Sequence, residues 1–294
     1  MRLRQCLADA GGLKPYLQRL AGAFGWRYVL AVISEYGGNQ GIGWQITNMA
    51  RKYYVIDNLH FTAADYGRLS GFAGIPWSAK ALFGLLSDLV PCRGLHRAPY
   101  LGAAGVTGAV VMALLLMLPV EMVGWYTAAL IFCLYNCNIA FADVIIDATV
   151  ARRLQQRPKL AANLQSLCWG SYGLLGAIGL AVGGSLLQVA GSKPLFCLAA
   201  LFALGVVMPA CLGWLGELPE ERQQAASCTA QLHHPMRRRV AAAAALVGVY
   251  SIAVGILQLT LGHSARSAVA AATLVGNLLL CLGLWLILRG LDGW

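Results

Sequence analysis

The chain has 294 residues, enough for one or two soluble domains, but 59% of them are hydrophobic, only 12% are charged, and the mean hydropathy is +0.64. Soluble domains carry about 25% charged residues, so half that density excludes an ordinary soluble fold and marks a chain solvated mainly by lipid. The net charge of +10 lies in short clusters between apolar runs rather than along one face, which argues against a nucleic-acid partner and for membrane orientation.

Residues 1–25 hold Arg2, Arg4, Lys14 and Arg19 against the single acid Asp9. A cytoplasmic tail is the simpler reading and a short amphipathic targeting peptide the alternative, since no serine or cleavage signal stands out. A membrane helix needs about 20 apolar residues. Eight runs qualify, at 26–47, 66–87, 100–118, 125–150, 160–189, 194–214, 240–261 and 267–288. The first carries Glu35, Asn39, Gln40 and Gln45, so it is expected to face other helices or water. The second carries Lys80, ends at Ser87 and Asp88, and turns through Pro91 and Gly94; the third begins behind His96, Arg97 and Pro99. The fourth and fifth are long enough to tilt or project past the bilayer. Glycines at 170, 173, 176, 179, 183 and 184 give the fifth a small-residue packing face. The predicted organisation is a six-helix block over 26–214, a central cytoplasmic loop over 215–239, and two further helices in 240–294.

With the N-terminus inside, sixteen Lys and Arg fall on the inner side and five (Arg51, Lys52, Arg68, Lys193 and Arg266) on the outer, a clear positive-inside bias. The nine cysteines show no C-x-x-C pair and no histidine at zinc spacing, so they read as free thiols and no metal site is expected. No H-E-x-x-H, G-x-S-x-G or P-loop pattern occurs, so the chain is not expected to be an enzyme or to need a cofactor.

Ionised groups at membrane depth cost about 2.5 to 3.5 kcal/mol each on insertion scales and mark functional interiors. Glu35, Lys80 and Asp143 each lie eight residues from the inner end of their spans. At 1.5 Å per residue that places all three roughly 12 Å deep, at one level. Asp147 shares a helix face with Asp143, and two neighbouring carboxylates resist double ionisation, which suits a proton-coupled carrier. The bland alternative is a neutralised Lys80–Asp143 pair that only fixes helix register, with Asp147 instead reaching Arg152 or Arg153. Gln165 lies close enough to this level to touch a substrate. Trp77 and Trp169 could stack on a flat ring or simply pack.

Five blocks, in order, resemble one family. They are Gln40 with Gly41; Pro76 and Trp77 through Lys80 and Gly84 to Ser87 and Asp88; the turn of Pro91, Gly94, Arg97, Pro99 and Tyr100; Asp143 with Asp147; and Gln165 with Trp169 and Gly170. Together they resemble the folate–biopterin (pteridine) transporter family of the major facilitator superfamily. The resemblance implies an all-α, major-facilitator-type bundle that imports folates, pterins or related compounds with protons. Taken with the charged level, it makes Glu35, Gln40, Lys80, Asp143, Asp147 and Gln165 the expected substrate or proton contacts. It also implies an inner gate of Asp88 with Arg93, Arg97 and Arg152. Ala81, His96 and Arg152 depart from the family pattern, Arg152 by reversing a charge. Such carriers have about twelve spans in two six-helix halves, so eight spans suggest a fold lacking four helices. The alternatives are a carrier of another organic anion or amino-acid-like solute, or a non-transporting or truncated membrane protein. The plasma membrane and a plastid membrane remain open as locations, and so does a complementing chain.

Overall fold

The computed structural model describes residues 11–217, 235–260 and 266–289, and its regular structure there is helical apart from one bridge between Cys92 and Leu95. Most of the expected central loop, the first ten residues of the expected tail and the 261–265 connection lie outside the described residues.

Helix α1 (Leu13–Phe24) lies within the expected N-terminal tail. Its Tyr16, Leu20 and Phe24 recur every four residues, share one buried face, and seat it against the bundle. Tyr16 also donates to the Asn163 carbonyl at 2.6 Å. Gly25, at φ 87°, separates α1 from α2 (Trp26–Ile33). From α2 the chain continues unbroken through a ten-residue π segment (Ser34–Gly43), α3 (Trp44–Tyr53) and a π turn (Tyr54–Asn58). The expected end of this span at Thr47 is therefore corrected to Asn58, and the expected outer loop shrinks. Ile46, Ala50, Tyr54 and Val55 form a buried stripe, and Tyr54 meets Phe196 edge-on at 5.4 Å. Covering that stripe keeps the helix going. Arg51, expected in solvent, is instead 8% exposed beneath the Phe132 ring.

The second span is corrected from one helix to three: α4 (Ala63–Ala73), α5 (Ile75–Ser78) and α6 (Lys80–Leu89). Thr62 caps α4 by accepting from the Asp65 N–H at 3.1 Å. The first break falls at Gly74 before Pro76, which has no N–H to offer the preceding turn. The second, at Ala79, makes Lys80 the first residue of α6.

Next come α7 (Ala98–Met117), α8 (Trp125–Gln156), α9 (Ala161–Ala190), α10 (Lys193–Gly205) and α11 (Val207–Cys211), then α12 (Pro235–Thr260) and α13 (Arg266–Leu288). Five described stretches are long and apolar enough to cross a membrane: Ala98–Met117, Trp125–Gln156, Pro158–Ala190, Lys193–Cys211 and Arg238–Leu257. The first expected span is too polar to join them, the second too broken, and the last offers only a shorter apolar run, Thr273–Trp285. The protein is thus a multi-pass helical membrane protein.

α8 is the axis, the most buried of these five stretches. Two apolar clusters flank a polar layer. Along the first span one cluster ends at Tyr36 and the other begins at Ile46; along α8 they meet between Ile139 and Ala142. The glycine face of α9 closes against the π segment. A Cβ on Gly41 would lie 3.0 Å from the Tyr36 carbonyl oxygen and 3.2 Å from that of Tyr172, so only glycine permits this approach. The packing face is narrower than expected, because Gly176, Gly179 and Gly183 make it while Gly173 and Gly184 meet nothing within 4 Å. α12 packs on the second span, with Gly248 over Leu82 and Gly255 over Ile75.

Candidate functional site

In a π segment each N–H reaches five residues back, which widens the helix, and such segments occur often at functional sites. Here the segment turns Tyr36 and Gln40 towards α8. Gln40 Nε2 donates to Asp143 Oδ1 at 3.0 Å, and the Tyr36 hydroxyl donates to Asp147 Oδ1. Lys80 Nζ forms an ion pair with the other oxygen of Asp143 and lies 4.9 Å from the centroid of the Trp77 ring. Position matters for this lysine. As the first residue of α6 it sits where the helix dipole disfavours a cation, so the carboxylate offsets that cost as well as desolvation. The Asp143 side chain is only 6% exposed whereas that of Lys80 is 31% exposed, so the pair is sealed on one side and open on the other.

Behind the pair lies a second, closed set. Glu35 and Asn39 are fully buried and Asn138 is 1% exposed. Asn39 Nδ2 donates to Glu35 Oε2 at 2.9 Å, and Asn138 Nδ2 donates to Asn39 Oδ1 at 3.2 Å. The three ionisable groups expected at one level thus divide: Lys80 and Asp143 pair, and Glu35 bonds to Asn39 rather than to Lys80. Further along α8, Asn136 Oδ1 accepts from two indoles, Trp44 at 3.3 Å and Trp77 at 3.2 Å. Their rings lie 5.5 Å apart, so Trp77 is a fixed wall next to the lysine.

The open side carries Asp147 and Gln165, both exposed, and Trp169, which is 62% exposed. Trp169 meets Tyr36 at 6.2 Å and Tyr172 at 6.0 Å, making an aromatic edge beside Asp147. Gln165 makes no hydrogen bond among the described residues. Arg153 is not the partner of Asp147. Its guanidinium donates to the carbonyls of Leu215 at 2.9 Å and Phe24 at 3.4 Å and lies 3.7 Å from the Tyr28 ring centroid.

At the turn after α6, Asp88 pairs with Arg97, and Arg97 also donates to Ser87 Oγ at 2.7 Å. Of the expected gate residues these two are joined by a described ion pair. Arg93 is exposed in the left-handed region at φ 55° and forms no ion pair among the described residues, and Arg152 is exposed. Glu217 completes the turn. Its carboxylate accepts from the N–H groups of His96 at 3.1 Å, Arg97 at 2.6 Å and Ala98 at 3.1 Å, capping α7 from far along the chain. Sequence reasoning missed this role, since a glutamate 120 residues away carries no local capping signal. It also missed Tyr36, whose only hint was its place four residues before Gln40. Among the described residues no group of His, Cys, Asp and Glu could hold a metal ion.

The family model described as the BT1 family matches residues 40–278. The chain is 37% identical over 191 residues to "Probable folate-biopterin transporter 5" of Arabidopsis thaliana, covering 64% of this chain and 38% of that protein. It is 35% identical over 190 residues to "Probable folate-biopterin transporter 2" of Arabidopsis thaliana, covering 64% and 38%. It is 32% identical over 205 residues to "Folate-biopterin transporter" of Synechocystis sp., covering 68% and 40%. The matched region thus spans about two fifths of the length of these relatives. No solved structure matches. With the family match running from Gln40, near the end of the π segment, through the Lys80–Asp143 pair and the Asp88 turn, the chain belongs to the BT1 family.

Proposed function

We propose that the protein is a secondary transporter for folate, biopterin or related pteridines, coupled to protons and built on a major-facilitator-type bundle. In this reading the expected eight spans cross the membrane with the N-terminus and the Asp88 turn on the cytoplasmic side. The observation that carries it is the Lys80–Asp143 pair, closed behind by Gln40 and open in front beside Trp169, Tyr36 and Asp147. A folate offers a flat heterocycle, amino groups and an acidic tail. Trp169 supplies a ring edge for the heterocycle, Asp147 and Gln165 accept from its amino groups, and Lys80 receives the tail. Asp143 then shares Lys80 with the substrate and keeps the Gln40 amide. Asp88 and Arg97 close the cytoplasmic turn. The chain's own carboxylates carry the coupling proton.

The test is uptake of labelled folate and biopterin by membranes containing the protein, with Lys80→Ala as the comparison. Uptake that excess biopterin blocks, and that Lys80→Ala abolishes while still reaching the membrane, supports the proposal. Uptake of another anion that pteridines do not block assigns the same site to a different cargo. Full pteridine uptake by Lys80→Ala removes Lys80 from the site.

A further inference from the structure

We infer that Glu35 is the proton site of the bundle, holding a proton on Oε1 in the conformation seen here. The inference deepens the transport reading above and rests on it for its link to cargo. The charges close first. Lys80 and Asp143 neutralise each other, and Asp147 takes a phenolic hydrogen bond at an exposed position. That leaves Glu35 fully buried with no cation of its own. Its Oε2 accepts from Asn39, but its Oε1 has no hydrogen-bond partner. One more buried acceptor of α8 is likewise unpartnered, Asn138 Oδ1, and the Tyr135 hydroxyl, which can donate or accept, makes no hydrogen bond either. Asn138 is bonded into the Glu35 set through Asn39. The buried set of Lys80, Asp143 and Glu35 thus holds two acceptors without a donor, Glu35 Oε1 and Asn138 Oδ1, and an ionised Glu35 would leave it one negative charge in excess. A single proton on Glu35 corrects both faults, removing the charge and adding a donor.

Asp143, Asp147, Lys80 and Asn39 act on Glu35, and the other titratable groups on the elements around it are the following. α8 brings Asp143, Asp147 and Tyr135, and α6 brings Lys80. α9 carries Cys168 and Tyr172, α2 Arg27 and Tyr28, α3 Arg51, Lys52 and Tyr53 in its last turn, and α10 only Cys197 and the terminal Lys193. Arg27 and Arg51 lie at opposite ends of the first span, and Arg51 is spent on Phe132 and Tyr66. A substrate anion at Lys80 adds to the field of Asp143 and Asp147 and holds the proton on Glu35 more firmly. By reciprocity the proton strengthens binding of the anion, which is the coupling a symporter needs. Deprotonation at rising pH adds the charge of Glu35 to those of Asp143 and Asp147 behind Lys80, so substrate affinity falls as pH rises.

The test is infrared difference spectroscopy on the purified full chain. Wild type should show the carbonyl band of a protonated carboxyl at neutral pH, absent in Glu35→Gln and kept in Asp147→Asn. A band that persists in Glu35→Gln, or no such band in wild type, overturns the inference, and the second result stands even if the variant does not fold. Glu35→Gln, whose amide supplies the missing donor, should unfold no earlier than wild type; marked loss of thermal stability would show that the ionised form was the useful one. Thermal stabilisation of wild type, and not Glu35→Gln, by sodium over potassium would reassign the site to a metal cation and overturn the proton. Finally, biopterin binding should weaken with rising pH in wild type and lose that dependence in Glu35→Gln. Failure of wild type to bind any pteridine refutes the transport reading, while the infrared band still decides Glu35.

Discussion

Breaking the Lys80–Asp143 pair from its two sides should cost unequal amounts, because the two partners are unequally sealed. Lys80→Ala strands a carboxylate whose side chain is 6% exposed and retains only the Gln40 amide. One-sided loss of a buried pair costs about 3–5 kcal/mol, and the Gln40 bond places this case at the lower end. Asp143→Ala frees an ammonium that is already 31% exposed and can turn towards water along its flexible stem. Its cost should be about 1–3 kcal/mol. The double variant removes both the stranded charge and its partner, so its loss should fall short of the sum by about 0.5–3 kcal/mol. Thermal unfolding in detergent, followed by a thiol-reactive fluorophore on the buried Cys168 in a background whose other eight cysteines are replaced by serine, measures all three. Additive losses, or an Asp143→Ala variant less stable than Lys80→Ala, would refute the reasoning.

Three further expectations follow from single contacts. Glu217→Ala leaves the α7 N–H groups of Arg97 and Ala98 without their acceptor and should cost about 0.5–2 kcal/mol, the range for a lost N-cap, in the same unfolding assay. Asn136→Leu leaves the indole N–H groups of Trp44 and Trp77 unpaired, at about 1–3 kcal/mol each, whereas Asn136→Asp keeps the acceptor. Tryptophan fluorescence should shift in the first and hold in the second. Gly41→Ala places a Cβ 3.0 Å from the Tyr36 carbonyl oxygen and should destabilise by about 1–3 kcal/mol as overpacking. Gly173→Ala, with nothing within 4 Å of its added carbon, should stay within about 0.5 kcal/mol of wild type.

The lysine, its aspartate and the Asp88 turn were legible in the sequence because charged residues in apolar runs stand out against their neighbours. Counting from the span ends found the level shared by Lys80 and Asp143, but it could not find how Glu35 is turned. That orientation depends on the π segment, whose widened turns follow from close packing against α9 and leave no period of their own in the sequence. The end of the first span was misread for a related reason. Arg51 and Lys52 look like a loop, yet the apolar stripe of Ile46, Ala50, Tyr54 and Val55 passes beneath them and is covered by helices far along the chain. Pro76 is a helix breaker that the reading of 66–87 as one span passed over. The second break, at Ala79, has no proline or glycine to mark it, yet it decides that Lys80 opens a helix. Glu217 illustrates the limit of local reasoning, since its three N–H donors lie on the far side of four spans.

The polar π segment also constrains how the chain enters a membrane during synthesis. A segment centred on Glu35, Asn39 and Gln40 gains little from lipid by itself, since a charge at mid-helix costs about 2.5–3.5 kcal/mol to insert. The group that receives the Gln40 amide, Asp143, is made 103 residues later. At typical elongation rates that is roughly 5–20 s of translation. For that interval the first helix has no internal partner for its polar face. It has to wait in the insertion machinery or at the headgroup boundary, and it settles into the bundle only when α8 and the glycine face of α9 arrive. The polar residues of the π segment thus make a span that is synthesised before α8 settle after it.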